Sequence, residues 1–168
     1  EQMGKNIADF HFVSGDFTCG YAERLTKEIE NERSLAVAPE DLLLPQKLNF
    51  EQKHAYDVIL KACFSFEEQA FFVDGPGGTG KTFLYRALLA TLRSQNHVAL
   101  AVATSGIAAS ILPGGRTAHS RFKIPLDFSK TKSCQLSKQS SAAKLLFEST
   151  LILWDEASMA KRETIEAF

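Results

Sequence analysis

Gly75-Pro76-Gly77-Gly78-Thr79-Gly80-Lys81-Thr82 decides the reading of this chain. The eight residues fit G-x-x-x-x-G-K-[ST], the loop that cradles phosphates with backbone N–H groups. An apolar run, Ala70-Phe71-Phe72-Val73, precedes it, and Phe83-Leu84-Tyr85-Arg86-Ala87-Leu88-Leu89 follows. That order predicts a strand at 70–74, a glycine loop and a helix from Lys81 to Ser94. Four glycines let the loop turn its N–H groups inward on a polyphosphate. The new helix adds its positive end. Lys81 is expected to reach the β- and γ-phosphates, and the Thr82 hydroxyl to ligate Mg²⁺. The alternative, a glycine-rich turn that binds nothing, does not explain why the flanks agree with the motif.

Working outward, Leu151-Ile152-Leu153-Trp154-Asp155-Glu156 is an apolar run ending in two carboxylates. Four apolar residues in succession suit a strand buried on both faces of a parallel sheet. Ligands of such sheets bind beyond the C-terminal ends of the strands. Asp155 is therefore expected to hold Mg²⁺, and Glu156 to polarise the attacking water. A strand end that merely caps the next helix is the competing reading of these acids.

Between the two segments, His97–Thr104 reads as another buried strand, Ser105–Ile111 as a short helix, and Pro113-Gly114-Gly115 as its breaker. A helix near Ala142–Glu148 leads into the strand at 150–155. Upstream, Asn49 and Gln52 form a capping box, followed by an apolar face of Ala55, Val58, Ile59 and Ala62. Alternation of strands and helices predicts an α/β domain whose parallel sheet is sandwiched between helices. The first 47 residues read as a separate, weaker unit, with a helix over Tyr21–Arg33 carrying Leu25 and Ile29. A Leu42-Leu43-Leu44 patch there is expected to pack on the core.

With 168 residues, 45% of them hydrophobic and 23% charged, one α/β domain can bury a core. No apolar run approaches the roughly 20 residues that span a membrane. Cys19, Cys63 and Cys134 are odd in number and widely spaced, which suits reduced intracellular thiols. His11, His54, His97 and His119 are scattered, without metal-ligand spacing. The net charge of −1 hides an asymmetry. Residues 1–51 carry ten acids against five Lys/Arg, whereas 114–144 carry seven Lys/Arg against Asp127 alone. That basic stretch is either a footprint for phosphate backbones or a solvated loop.

Four segments in order narrow the class: Leu48-Asn49-Phe50-Glu51-Gln52, Thr104-Ser105-Gly106-Ile107-Ala108-Ala109, Gly114-Gly115-Arg116-Thr117-Ala118-His119-Ser120 and Asp155-Glu156-Ala157-Ser158-Met159. Together with the glycine loop they closely resemble the Pif family of superfamily-1 DNA helicases. Pro76-Gly77-Gly78 and Trp154 look most like its plant and transposon-associated branch. The resemblance covers about 48–168 and implies a RecA-like P-loop NTPase domain preceded by a segment at 1–47. It implies ATP·Mg²⁺ as the fuel, single-stranded DNA as the track, 5′-to-3′ movement, and roles in DNA repair, recombination and telomere maintenance in the nucleus. Gln52 then resembles the glutamine that reads adenine, although it could simply complete the helix cap. Gly80, Lys81 and Thr82 match the first helicase motif, and Asp155 and Glu156 the second, with Glu156 as catalytic base. Thr104, Ser105 and Gly106 match a segment that touches the DNA backbone. Thr117, His119 and Phe122 fall in the next DNA-contact segment; Phe122 would stack on a base or sit in the core. The family's second RecA-like domain, glutamine sensor and arginine finger do not follow, so the chain reads as a fragment, truncated after the acidic strand, that binds ATP but unwinds poorly.

A GTPase or nucleotide kinase is the rival enzyme class. Against it, the chain has no Asn-Lys-x-Asp segment, and Asp155-Glu156-Ala157-Ser158 lacks the glycine of Asp-x-x-Gly. A decayed nucleic-acid-binding fragment is the non-enzymatic rival, opposed by the intact loop and acid pair.

Overall fold

A computed structural model describes residues 21–65, 68–125, 127–128, 133–134, 136–137 and 139–168. Six helices, α1 (Tyr21–Arg33), α2 (Phe50–Ser65), α3 (Lys81–Ser94), α4 (Gly106–Ile111), α5 (Ala118–Phe122) and α6 (Ser141–Phe147), surround three strands among the described residues, and α7 (Arg162–Glu166) ends the order. The strands are β1 (Val98–Ala103), β2 (Arg116–Thr117) and β3 (Ser149–Asp155), all parallel, in the order β2-β1-β3. None of the described helices is long and apolar enough to cross a membrane.

The fold is the expected α/β sandwich around a small parallel sheet. Every residue of β1, the central strand, is buried. Its side chains alternate between two helical layers, as the twofold period of a strand requires. Ala99 and Ala101, with Leu151 and Leu153 of β3, pack against Leu84, Leu88 and Leu92 of α3. Val98 and Leu100 pack with Ile29 of α1 and Leu145 of α6. Val102 meets Phe122 of α5, with Ile152 and Trp154 of β3 on the same side. The continuous apolar run of β1 is thus a sheet interior covered on both faces.

Several expectations need correction. Residues 68–76 make no strand. A strand exists through its ladder, and β3 pairs with β1 alone among the described residues. Phe71 and Phe72 are exposed, and only Val73 of that run packs against the core. For the same reason β3 is an edge strand, half-buried except at Leu153. On α2, Tyr56, Ile59 and Ala62 are buried, whereas Val58 is exposed, so the buried stripe lies about one position round from the expected face. Leu44 packs on the core from a 3-10 turn over Asp41–Lys47, but Leu42 and Leu43 face solvent.

The described part of the first 47 residues is not a detached unit. Ile29 joins the β1 core, and Asp41, itself buried, pairs with Arg86 of α3 at 2.5 Å. Glu32 of α1 meets Arg121 of α5 at 2.6 Å, both side chains buried. The Leu25 side chain, Cys19, His11, Lys130, Lys132 and Lys138 lie outside the described residues or side chains.

Candidate nucleotide and nucleic-acid site

The glycine loop sits where α3 begins. Gly78 and Gly80 have φ of 84° and 80°, the left-handed region that glycine enters without penalty. Gly80 is the N-cap of α3, and Leu84 N–H donates to its carbonyl at 3.1 Å. The hydroxyl of Thr79 donates to Pro76 O at 2.9 Å, and Asp74 Oδ1 accepts from Gly75 N–H at 2.8 Å. Lys81 Nζ folds over the loop, donating to Gly75 O and, at 3.0 Å, to Pro76 O. Its ammonium therefore already stands at the mouth of the cradle, and Thr82 lies beside it in the first turn of α3.

Gln52 ties a second element to this loop. The capping box forms as the sequence indicates: Gln52 N–H donates to Asn49 Oδ1 at 2.8 Å, and Asn49 N–H to Gln52 Oε1 at 3.0 Å. The same side chain donates from Nε2 to Thr79 O at 3.0 Å and Gly80 O at 3.4 Å. Both hydrogens of its amide are thereby committed to the loop. An adenine edge would have to take Gln52 from these carbonyls.

Parallel topology brings the acids to the same end. The connection from α3 to β1 is three residues, so the helix runs antiparallel to the strand and its N-terminus lies at the strands' C-terminal end. In register, Ala103 of β1 stands between Thr117 of β2 and Asp155 of β3. Two inter-strand steps separate Thr117 from Asp155, about 10 Å. Tyr85, one turn into α3, registers the acid: its phenol is pushed above the usual range, first by burial and then by the Asp155 carboxylate. The glycine loop and the acid pair therefore share one end of the sheet.

A hydrogen-bond cluster fixes Glu156. Its φ of 54° is left-handed, unusual for a residue with a side chain. Thr104 Oγ1 donates to Glu156 O at 2.8 Å and accepts from Trp154 Nε1 at 3.1 Å. Thr104 N–H donates to Asp155 O at 3.2 Å, extending the ladder one step past β1. Glu156 N–H donates to Asp155 Oδ1 at 2.9 Å. Ser105 caps α4 by accepting from Ala108 N–H at 3.1 Å, and its hydroxyl lies 3.3 Å from Glu156 Oε2.

The expected nucleic-acid residues divide. Ser105 and Gly106 are exposed and Thr104, Thr117 and His119 half-buried, all at or near this sheet end. Thr117 caps α5, accepting from Ser120 N–H at 3.4 Å. Phe122 is fully buried, its ring 5.8 Å from Trp154 and 4.2 Å from Phe168. As a base-stacking ring it is corrected to core: no face is open. Arg121 is likewise withdrawn from the basic surface by its pairing with Glu32, while Arg116, Lys123 and Lys144 remain exposed.

Sequence reasoning passed over Arg93 on α3. Its buried guanidinium donates to Ala99 O at 2.8 Å and Pro113 O at 2.7 Å, clamping β1 to the turn before β2. Burial pulls its pKa below the usual value; Glu32 pushes it back up and Arg121 down again. A cation on the stripe of Leu89, Ala90 and Leu92 was the available signal. Glu32, three positions after Ile29 and so on the same face of α1, was another.

Sequence likeness to known proteins bears on the family. The chain is 27% identical over 123 residues to the ATP-dependent DNA helicase PIF4 of Trypanosoma brucei brucei, a match covering 71% of this chain and 14% of that relative. The chain thus spans about a seventh of the curated relative's length. The sequence model of the PIF1-like helicase family matches residues 47–168, taking in the capping box, the glycine loop, the Thr104–Gly106 junction and the acid pair, and on that match the chain belongs to the PIF1-like helicase family.

Proposed function

We propose that this chain is the first RecA-like half of an ATP-dependent DNA helicase that moves 5′-to-3′ on single-stranded DNA. The carrying observation is the convergence, at one sheet end, of the Gly75–Thr82 loop, the Asp155–Glu156 pair and the Thr104–Gly106 junction. ATP's phosphates would lie in the glycine loop, with Lys81 offsetting their charge. Thr82 and Asp155, an alcohol and a carboxylate, fit the oxygen ligation that Mg²⁺ prefers. When bound, Mg²⁺ supplies positive charge against the phosphates. Glu156 orients the attacking water and accepts its proton. Gln52 reads the base or holds the loop, and Thr104, Ser105, Gly106, Thr117 and His119 contact the DNA backbone.

Coupling hydrolysis to movement needs a second RecA-like domain of the same parent protein, with a γ-phosphate sensor and an arginine finger. Such a finger contributes about 10³–10⁵ in rate. A first half without that partner half would bind nucleotide, hydrolyse it feebly and not unwind. Residues 1–47 precede the motor proper, 48–168. A nuclear role in repair, recombination and telomere maintenance follows the same family expectation.

The test is DNA-stimulated ATPase of the full-length protein. Lys81→Ala and Glu156→Gln should each lower kcat by about a hundredfold or more. Turnover surviving both, or a strong preference for GTP in competition binding, would refute the assignment.

A further inference from the structure

We propose that Ser105 is a positioning residue for Glu156, and that a polynucleotide phosphate competes with the Glu156 carboxylate for its single hydroxyl proton. The inference rests on the helicase reading above and names a route by which the track sets the rate of hydrolysis.

Donor counting carries it. A serine hydroxyl has one proton to give and lone pairs to accept with. A lone pair of Ser105 Oγ is taken by Ala108 N–H, which caps α4 at 3.1 Å. The proton is directed to Glu156 Oε2 at 3.3 Å. It serves either that carboxylate or a phosphate oxygen, never both. The neighbouring Thr104 is spent in the same way: its proton goes to Glu156 O at 2.8 Å, while Trp154 Nε1 donates to its oxygen. The two hydroxyls of the segment expected to grip DNA thus both hold Glu156. Ser105 and Glu156 are exposed, so a DNA backbone can reach the bond. Arg116, also exposed, lies on β2 in register with Val102 and adds a cation at the same sheet end.

While the bond stands, one carboxylate oxygen is turned to the β1–α4 junction and away from proton transfer. When phosphate takes the hydroxyl, the carboxylate is released to the water it must orient. No covalent step is added. One hydrogen bond is exchanged for another of the same kind.

The experiment measures ATPase of the full-length protein with and without oligo-dT. In Ser105→Ala the rate without DNA should rise several-fold through kcat, with KM unchanged, and the stimulation ratio should shrink toward one. Ser105→Gly stays an accepted N-cap residue but has no proton to donate, and should raise the same unstimulated kcat. Ser105→Thr keeps both and should restore DNA dependence. An unchanged or lowered unstimulated kcat in Ser105→Ala overturns the proposal. So does a rise in Ser105→Ala that Ser105→Gly does not share, because the effect would then be loss of the cap. Wild-type protein without turnover, or turnover that survives Glu156→Gln, overturns the helicase function itself and this coupling with it.

Discussion

Removing Glu32 should unfold this domain more readily than any surface change, because it strands the buried Arg121 guanidinium and takes away the carboxylate that offsets Arg93. The side chains of Glu32 and Arg121 are 7% and 4% exposed, with Oε1 and an Arg121 terminal nitrogen 2.6 Å apart. The approach is that of an ion pair and not an aligned hydrogen bond. Glu32 Oε2 and Arg121 Nε find no hydrogen-bond partner among the described residues. Breaking a buried pair from one side costs about 3–5 kcal/mol, since the remaining charge is left unpaired in a low dielectric. For a chain of this size that is a fall in Tm of about 6–20 °C. The two single variants should not be equal. Glu32→Ala leaves Arg121 facing Arg93, whose pKa Arg121 already lowers, whereas Arg121→Ala leaves Glu32 still beside Arg93. Glu32→Ala should be the worse. Replacing both partners, Glu32→Leu with Arg121→Met, should return stability to within about 1–2 kcal/mol of the parent or exceed it. Urea unfolding followed by far-UV circular dichroism reads all four proteins. A loss below about 1 kcal/mol in Glu32→Ala, or a double variant no better than the worse single, would refute the claim that this pair is desolvated and locks α1 onto α5.

Gly115→Ala should lower stability by about 1–3 kcal/mol or more in the same assay, because an added Cβ would stand 2.1 Å from Ala109 O and 3.0 Å from Leu112 O, both backbone atoms that cannot swing aside. Gly80→Ala should weaken nucleotide binding at least tenfold, read by fluorescent-ATP titration: φ is +80°, and the new methyl carbon would lie 2.6 Å from Gln52 Nε2, displacing the tie between α2 and the loop. Gln52→Ala should cost about 0.5–2 kcal/mol of stability through the lost capping box, and should also loosen the glycine loop, seen as faster amide exchange at Thr79 and Gly80. Tyr85 gives a pH test: its folded pKa is raised, so its contribution is full below the unfolded value near 10 and is lost as pH rises through the folded value; Tyr85→Phe should flatten that alkaline decline in stability.

The sequence by itself was sufficient where the physics is local. Capping at Asn49–Gln52, the glycine loop and the helix it opens at Lys81 depend on neighbours a few residues away, and these, like the strands at Val98–Ala103 and Ser149–Asp155, form within a residue or two of where spacing and composition put them. The parallel order also follows, because short α/β connections leave few ways to cover both faces of a sheet. What the sequence could not decide is which apolar or charged side chain finds a partner far along the chain. Ala70–Val73 has the composition of a strand but no ladder, while Phe122 has the composition of a stacking ring but is enclosed by Trp154 and Phe168. Arg121 reads as part of a basic surface until Glu32, 89 positions earlier, is brought against it. The bond from Ser105 to Glu156 spans 51 positions, and it exists only because β1 and β3 run parallel and end side by side. Motif chemistry is written in adjacent residues, whereas burial and pairing are properties of the closed chain, and those set which motif residues touch.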